Sequence, residues 1–321
     1  MAKEKVLNEF IMHRSEHNPL ISPTDFPGGF ADSVMNCGQV IHEGKVVLLV
    51  AVVYRGRYNG AEAGIHVATS EDGIHFEINP EPLCKPVDWA PGWQEMDRWV
   101  IDPRVTKIDD TYYIMRPGQC RPTLGPVALL EKTKDFKSVE FMGCVGLPEN
   151  RVPCLFPEKI NGMYVRFDRP YATKNTPQGG IWLSYSPDLI HWGDHKPLLM
   201  PWGAYFGLKV GPTPPIKTKD GWLEIFHGVW RNCANDRYSL SAMLLDLEDP
   251  SKIIGKMESW ILTPQADYER LGNVNNVVFA CGALADEEKD EIRVYYGAAD
   301  EHVCLATGSL SELIDACKKG L

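Results

Sequence analysis

A β-rich pattern occurs five times along this chain, and any fold has to accommodate that first. Each copy has an apolar lead-in, a polar turn, a β-rich run and then a second β-rich run. The first runs are Lys45–Val53, Thr111–Met115, Met163–Phe167, Trp222–Val229 and Glu291–Tyr296, with starts 66, 52, 59 and 69 residues apart. Four follow a turn pair (Glu43-Gly44, Asp109-Asp110, Asn161-Gly162, Asp220-Gly221), and the fifth follows the acidic stretch Asp286–Asp290. One such unit cannot bury its apolar face alone, and stacking neighbours around an axis does, so repeats of this size predict a β-propeller. The expected fold is all-β: a single five-bladed propeller over residues 1–321 with a short C-terminal helix.

The second runs are Gly64–Thr69, Gly125–Leu130, Gly180–Tyr185, Tyr238–Leu245 and His302–Thr307. Three lead into a polar turn followed by an aromatic, Phe76, Phe136 or Trp192, read here as packing between blades. Among the other tryptophans, Trp89, Trp93 or Trp99 are candidates to stack on a sugar face. The lead-ins Asn36–His42, Asp102–Ile108, Leu155–Ile160, Gly211–Lys217 and Val277–Leu284 are the expected inner strands, whose starts crowd the axis. After His302–Thr307 the chain turns helical. Ser309 and Glu312 have capping-box spacing, and Leu310, Leu313, Ile314, Cys317 and Leu321 follow a helical stripe. The fifth blade therefore lacks an outer strand, and the segment around Phe10–Ile21 is expected to supply it and close the ring.

Bulk properties exclude several classes. A net charge of −10 argues against nucleic acid as a partner. No apolar run approaches the length needed to span a bilayer, and the first ten residues lack a secretory apolar stretch, so no membrane partner and a cytoplasmic location are expected. Nine cysteines without CxxC or zinc-like spacing read as reduced thiols, and no metal or cofactor is expected. Walker, GxGxxG, HExxH and GxSxG motifs are missing. Blade faces or the C-terminal helix could support a homo-oligomer.

Asp102 is the sharpest chemical candidate. It heads an inner strand just before Pro103 and Arg104, and the residue before proline is expected to be extended, which would aim the carboxylate. A turn cap paired with Arg104 is an equal reading from position alone. Arg151, Arg169 and Lys209 each lie close to an inner or neighbouring strand. In a closed ring all three can face one axial funnel and hold a phosphate. On sequence alone, three unrelated surface ion pairs is the commoner outcome.

Five segments in register change that weighting. Residues 17–57, 99–114 (WVIDPRVTKIDDTYYI), 149–170 (ENRVPCLFPEKINGMYVRFDRP), 208–229 (LKVGPTPPIKTKDGWLEIFHGV) and 273–307 resemble glycoside hydrolase family 130, which contains the β-mannoside phosphorylases. The resemblance implies a five-bladed propeller with an axial site. It implies inverting phosphorolysis of a β-linked manno-oligosaccharide or mannosyl-disaccharide, with inorganic phosphate as co-substrate and α-mannose 1-phosphate as product. It makes Asp102 the catalytic acid, acting through a hydroxyl of the bound mannose. Arg151, Arg169 and Lys209 become the phosphate cations. Asn36, Arg55 and Asp300 match residues that hold mannose, with Arg104 beside Asp102 and with His227 and Tyr238 near the acceptor or the phosphate.

The chemistry agrees with this set. An inverting glycosidase needs a second carboxylate to activate water, whereas phosphate is already an anionic nucleophile and needs cations. Asp102 must be protonated to act, so its surroundings are expected to favour the neutral form. Cys37, Ile101, Val152 and Gly211-Pro212-Thr213 depart from the common family pattern, which leaves linkage and acceptor open. The rivals are a β-mannosidase on the same scaffold, a hydrolase using three acids such as Asp32, Asp102 and Glu158, and a non-catalytic glycan-binding propeller.

Overall fold

The structure, a computed structural model, describes residues 11–58, 61–87, 97, 99–118, 125–171, 179–203, 206–231 and 235–320, with the side chains of residues 57 and 58 left out. Phe10, Trp89, Trp93, Cys120, Cys233 and Leu321 lie outside that set. Strand β1 is His13–Arg14. Blade 1 is β2 (Ala31–His42), β3 (Lys45–Tyr58), β4 (Ala61–Ser70) and β5 (Glu77–Cys84). Blade 2 is β6 (Arg104–Ile108), β7 (Thr111–Gly118), β8 (Val127–Thr133) and β9 (Glu140–Gly146). Blade 3 is β10 (Cys154–Leu155), β11 (Tyr164–Asp168), β12 (Ile181–Ser186) and β13 (Gly193–Leu199). Blade 4 is β14 (Lys209–Gly211), β15 (Ile216–Thr218), β16 (Gly221–Arg231), β17 (Asp236–Leu245) and β18 (Ile253–Lys256). Blade 5 is β19 (Val278–Ala280), β20 (Leu284–Asp286), β21 (Glu291–Ala298) and β22 (His302–Ser309), and β1 is its outer strand. Five antiparallel sheets thus form a five-bladed propeller.

Local chemistry explains the hairpins. Glu43-Gly44 and Asn161-Gly162 take positive φ at both positions (49° and 80°, 51° and 80°), as two-residue hairpin turns require. The outer turns repeat as well. Asp72 accepts from the backbone N–H groups of Ile74 and His75, and Asp188 accepts from those of Ile190 and His191. The aromatics after those turns pack across seams. Phe76 meets Tyr295 of blade 5, Phe136 meets His42 of blade 1, and Trp192 joins the apolar cluster of blade 2 residues Met115 and Leu130.

Ring closure follows the expected route. His13 and Arg14 pair with Thr307 and Ala306, and Ile21 bridges Val303. The Arg14 guanidinium grips the buried Glu269 carboxylate through two bonds of 2.7 and 2.8 Å. Glu269 belongs to a one-turn helix α1 (Asp267–Arg270) that the sequence reading did not anticipate. The C-terminal helix α2 (Leu310–Lys319) starts at Ser309, whose hydroxyl accepts from the Glu312 N–H.

Three inner strands differ from expectation: of Leu155–Ile160 only Leu155 lies in a strand, Cys154–Leu155, and Ile160 forms an isolated bridge to Met163. Gly211–Lys217 and Val277–Leu284 are each broken in two. In blade 4 the break falls at Pro212, Pro214 and Pro215, which have no N–H to donate, and the Thr213 N–H goes instead to the Glu224 carboxylate at 2.8 Å. In blade 5, Gln39 from blade 1 fills the gap. Its amide donates to the carbonyls of Gly282 (2.8 Å) and Tyr295 (2.9 Å), and its oxygen accepts from the Tyr295 N–H (3.0 Å).

Candidate active site

All five blades bring polar side chains to one place. Asn36 lies at an irregularity in β2 with φ 42°, and its amide donates to Asp102 Oδ1 at 2.8 Å. Asp102 lies two residues before the start of blade 2's inner strand, with Pro103 between. It is 1% exposed and has φ 54°. That corrects the extended conformation expected before Pro103. Aspartate tolerates the left-handed region better than most residues, and here the Arg104 guanidinium holds the Asp102 carbonyl at 2.9 Å. Arg104 also donates to the Pro212 carbonyl at 3.2 Å and lies over the Phe279 ring, so it ties blades 2, 4 and 5 together.

Blade 3 contributes two cations. Arg151 places Nη2 3.0 Å and Nε 3.3 Å from Asp102 Oδ2. Arg169 follows β11 directly. It is buried, and its Nη1 donates to His227 Nε2 at 2.9 Å. That bond makes Nε2 an acceptor and leaves the proton of the neutral ring on Nδ1. Blade 4 contributes Lys209 from β14, His227 from β16 and Tyr238 from β17, with Lys209 Nζ 4.9 Å from the centre of the Tyr238 ring. Blade 5 contributes Asp300, half-buried in the β21–β22 turn with φ 51°. Arg55 stands apart: it is exposed on β3, and no described contact joins its side chain to the others.

The site carries four cationic side chains (Arg104, Arg151, Arg169, Lys209) close to two carboxylates (Asp102, Asp300), and its titration reflects that crowding. Burial, then the charges of Arg169 and Arg151, push Lys209 down to about 7. Burial pushes Arg169 down to about 10, with Arg151 and Arg104 adding to the effect. Burial and the same cations hold His227 well below the usual imidazole range, so it is neutral. Burial and the Asp102 charge push Asp300 up to about 6, and burial raises Tyr238 to about 12. For Asp102, burial would raise the value, but Arg151, Arg104 and the Asn36 bond outweigh it, and the carboxyl stays below its ordinary range. The expectation of a neutral Asp102 therefore fails for the free site. The Arg151 ion pair keeps it ionised.

Several contributors escaped the sequence reading. Gly297 is required because a Cβ there would lie 2.2 Å from Asn36 Oδ1, and one at Gly211 would lie 2.7 Å from Arg169 Nη1. Phe279 stacks on His227 at 4.4 Å between ring centres. Glu224 is fully buried with one oxygen unpartnered, and burial pushes its carboxyl well up. Its signal was present: a lone Glu inside the apolar strand WLEIFHGV. Asn36 Oδ1, Arg104 Nη2, Arg169 Nε and His227 Nδ1 are likewise buried without a protein partner, which leaves donors and acceptors for a small polar ligand. Among the described residues no group of three or more His, Cys, Asp or Glu could hold a metal ion. Asp32 is exposed, and Glu158 pairs with Lys217 at 2.6 Å, so neither joins Asp102 as the three-acid alternative requires.

Comparison with known proteins agrees with this geometry. A family model described as beta-1,4-mannooligosaccharide phosphorylase, from glycoside hydrolase family 130, matches residues 21–319. The chain is 34% identical to the beta-1,4-mannooligosaccharide phosphorylase of Ruminococcus albus, over 96% of this chain and 91% of the relative. It is 35% identical to the 1,2-beta-oligomannan phosphorylase of a Thermoanaerobacter species, over 94% and 98% of the two chains. The solved beta-1,2-mannobiose phosphorylase of Listeria innocua, in complex with beta-1,2-mannobiose, superposes with a TM-score of 0.85 at 31% identity, covering 96% of this chain and 99% of the other. On a match running from residue 21 to residue 319, the chain belongs to glycoside hydrolase family 130, the mannoside phosphorylases, enzymes of glycosyltransferase type.

Proposed function

We propose that this chain is an inverting β-mannoside phosphorylase that releases α-mannose 1-phosphate. The observation that carries the reading is the surplus of cationic side chains over the two carboxylates, Asp102 and Asp300, in a largely buried site. The Arg151 charge depresses the proton affinity of Arg169, and both arginines depress that of Lys209, which is costly unless a dianion sits among them. In this mechanism a phosphate oxygen attacks C1 of mannose and forms the C1–O–P linkage. The glycosidic C1–O bond breaks on the opposite face, and the proton reaches the leaving oxygen from Asp102. Asp102 must take up that proton first. Phosphate supplies the means by drawing Arg151 away from Oδ2 and adding negative charge nearby, and both raise the Asp102 proton affinity. Asn36 and Asp300, and Arg55 by resemblance alone, hold the mannose. His227 and Tyr238 border the phosphate or the acceptor.

The relatives' names divide between β-1,4 and β-1,2 linkages, so both belong in the substrate panel. A cytosolic setting is part of the same proposal: phosphate is plentiful there, and the seven described cysteines are all unpaired. The test is sugar release from β-1,2- and β-1,4-mannobiose with and without inorganic phosphate. Phosphate-dependent formation of mannose 1-phosphate is expected. Equal rates with free mannose as product would replace the reading with that of a β-mannosidase.

A further inference from the structure

The backbone that presents the phosphate cations has a second face. Strand geometry sends successive side chains to opposite sides, so Asn150 and Asp168 point away from the axis where Arg151 and Arg169 point toward it. They line a separate cavity of about 670 Å3 between blades 2 and 3, a volume within the range small-molecule sites occupy.

The cavity wall is organised. Asp168 accepts from Asn150 Nδ2 (2.6 Å) and Ser184 Oγ (2.5 Å), and it pairs with Arg166 Nε (2.9 Å). Ser184 has only one proton, given to Asp168, so its contact with His195 Nδ1 at 2.8 Å must be one in which the imidazole donates. With Nδ1 donating, the neutral tautomer of His195 has Nε2 as an acceptor, which no described protein group engages. Trp182 lines the same cavity half-buried, belongs to none of the apolar core clusters, and its indole has no hydrogen-bond or ring partner among the described residues. Tyr171 lines it as well. Arg166, the cation in the wall, is buried and matched by Asp168, so no unpaired positive charge invites an anion. Aromatic faces beside oriented acceptors suit a neutral polyhydroxylated ring, whose C–H face stacks while its hydroxyls donate.

We propose that this cavity is a second, non-catalytic oligosaccharide-binding site, in which Trp182 stacks on a sugar ring and His195 accepts from its hydroxyls. That the sugar is a mannoside rests on the proposed function. The site would hold longer chains close to the axial funnel, with which it shares the 150–151 and 168–169 backbone.

The test is calorimetric titration of the full chain in phosphate-free buffer with β-1,2- and β-1,4-linked manno-oligosaccharides of increasing length. Trp182→Ala and the exposed His195→Ala variants are run beside the wild type. The expected result is a second binding event for the longer chains that Trp182→Ala weakens by about tenfold or more and His195→Ala weakens also. Turnover of the disaccharide is unchanged in His195→Ala, while its KM for the longer chains rises. Absence of a second event in the wild type, or identical isotherms in all three proteins, overturns the proposal. Phosphorolysis with identical isotherms would refute the cavity alone. If no mannoside reacts, a gluco- and xylo-oligosaccharide panel whose binding still depends on Trp182 would refute the activity and keep the cavity.

Discussion

Lys209 gives the most exacting test of the anion site. Its ammonium is pushed from 10.5 to about 7 by burial and by Arg169 and Arg151. Relative to an ammonium in water, that displacement corresponds to about 5 kcal/mol in favour of the neutral amine. A bound dianion supplies opposite charge that offsets the burial and cancels the repulsion by Arg169 and Arg151, so in the complex Lys209 should regain most of its ordinary proton affinity. The sign follows directly. Above pH 7 the free protein carries neutral Lys209, the complex carries it charged, and binding must take up a proton. With a free value of about 7, roughly nine-tenths of a proton enters per anion bound at pH 8, and affinity falls by about tenfold for each pH unit above 7.5. Sulfate is the suitable probe, because it carries the same double charge throughout. Titration calorimetry at pH 7, 8 and 9 in buffers of different ionisation enthalpy reads affinity and proton uptake together. Asp300, at about 6, and Tyr238, at about 12, titrate outside this window. Lys209→Met should bind weakly with a flat pH profile, and Lys209→Arg should bind well with a flat one. A flat wild-type profile without proton uptake, or an unaltered slope in Lys209→Met, would refute the reasoning.

Three further outcomes can be checked. Asp102→Asn should lower kcat by about 10²–10⁴ while sulfate still binds, since the acid is lost but Arg151 is freed; near-normal turnover would remove Asp102 from the acid's role. Arg116→Met should destabilise the chain by about 3–5 kcal/mol in urea unfolding, because it strands the buried carboxylates of Asp97 and Glu131, which now lie 3.0 and 3.3 Å from the guanidinium. An unchanged midpoint would contradict that account. Deleting residues 1–20 should uncover the β22 edge and the Glu269 carboxylate, giving association visible by light scattering. A monodisperse truncated protein with unchanged thermal stability would show that the terminal strand does not close the ring.

The hairpin order was more legible in the chain than the site was. Turn pairs such as Asn161-Gly162, together with alternating apolar runs, define hairpins locally, and five hairpin pairs in series leave few ways to bury their faces. The vacancy for an outer strand in blade 5 was legible because α2's capping and stripe end the β pattern at Ser309. Asp102, Arg151, Arg169, Lys209 and Asp300 were legible as candidates because each lies at or near a strand end and matches a family motif. Only the tertiary structure decided how they act on one another. Their separations in sequence run to nearly two hundred residues, and proton affinity depends on distances of a few ångströms. That is why Asp102 is ionised rather than neutral, why Lys209 sits near 7, and why Gln39 could not be seen as the plug in blade 5's ladder. It is also why Asn150 and Asp168, neighbours of the catalytic candidates in sequence, face a different cavity. Local sequence sets hairpins and strand faces through short-range sterics and alternation. Charge, burial and shared walls exist only once the five blades meet.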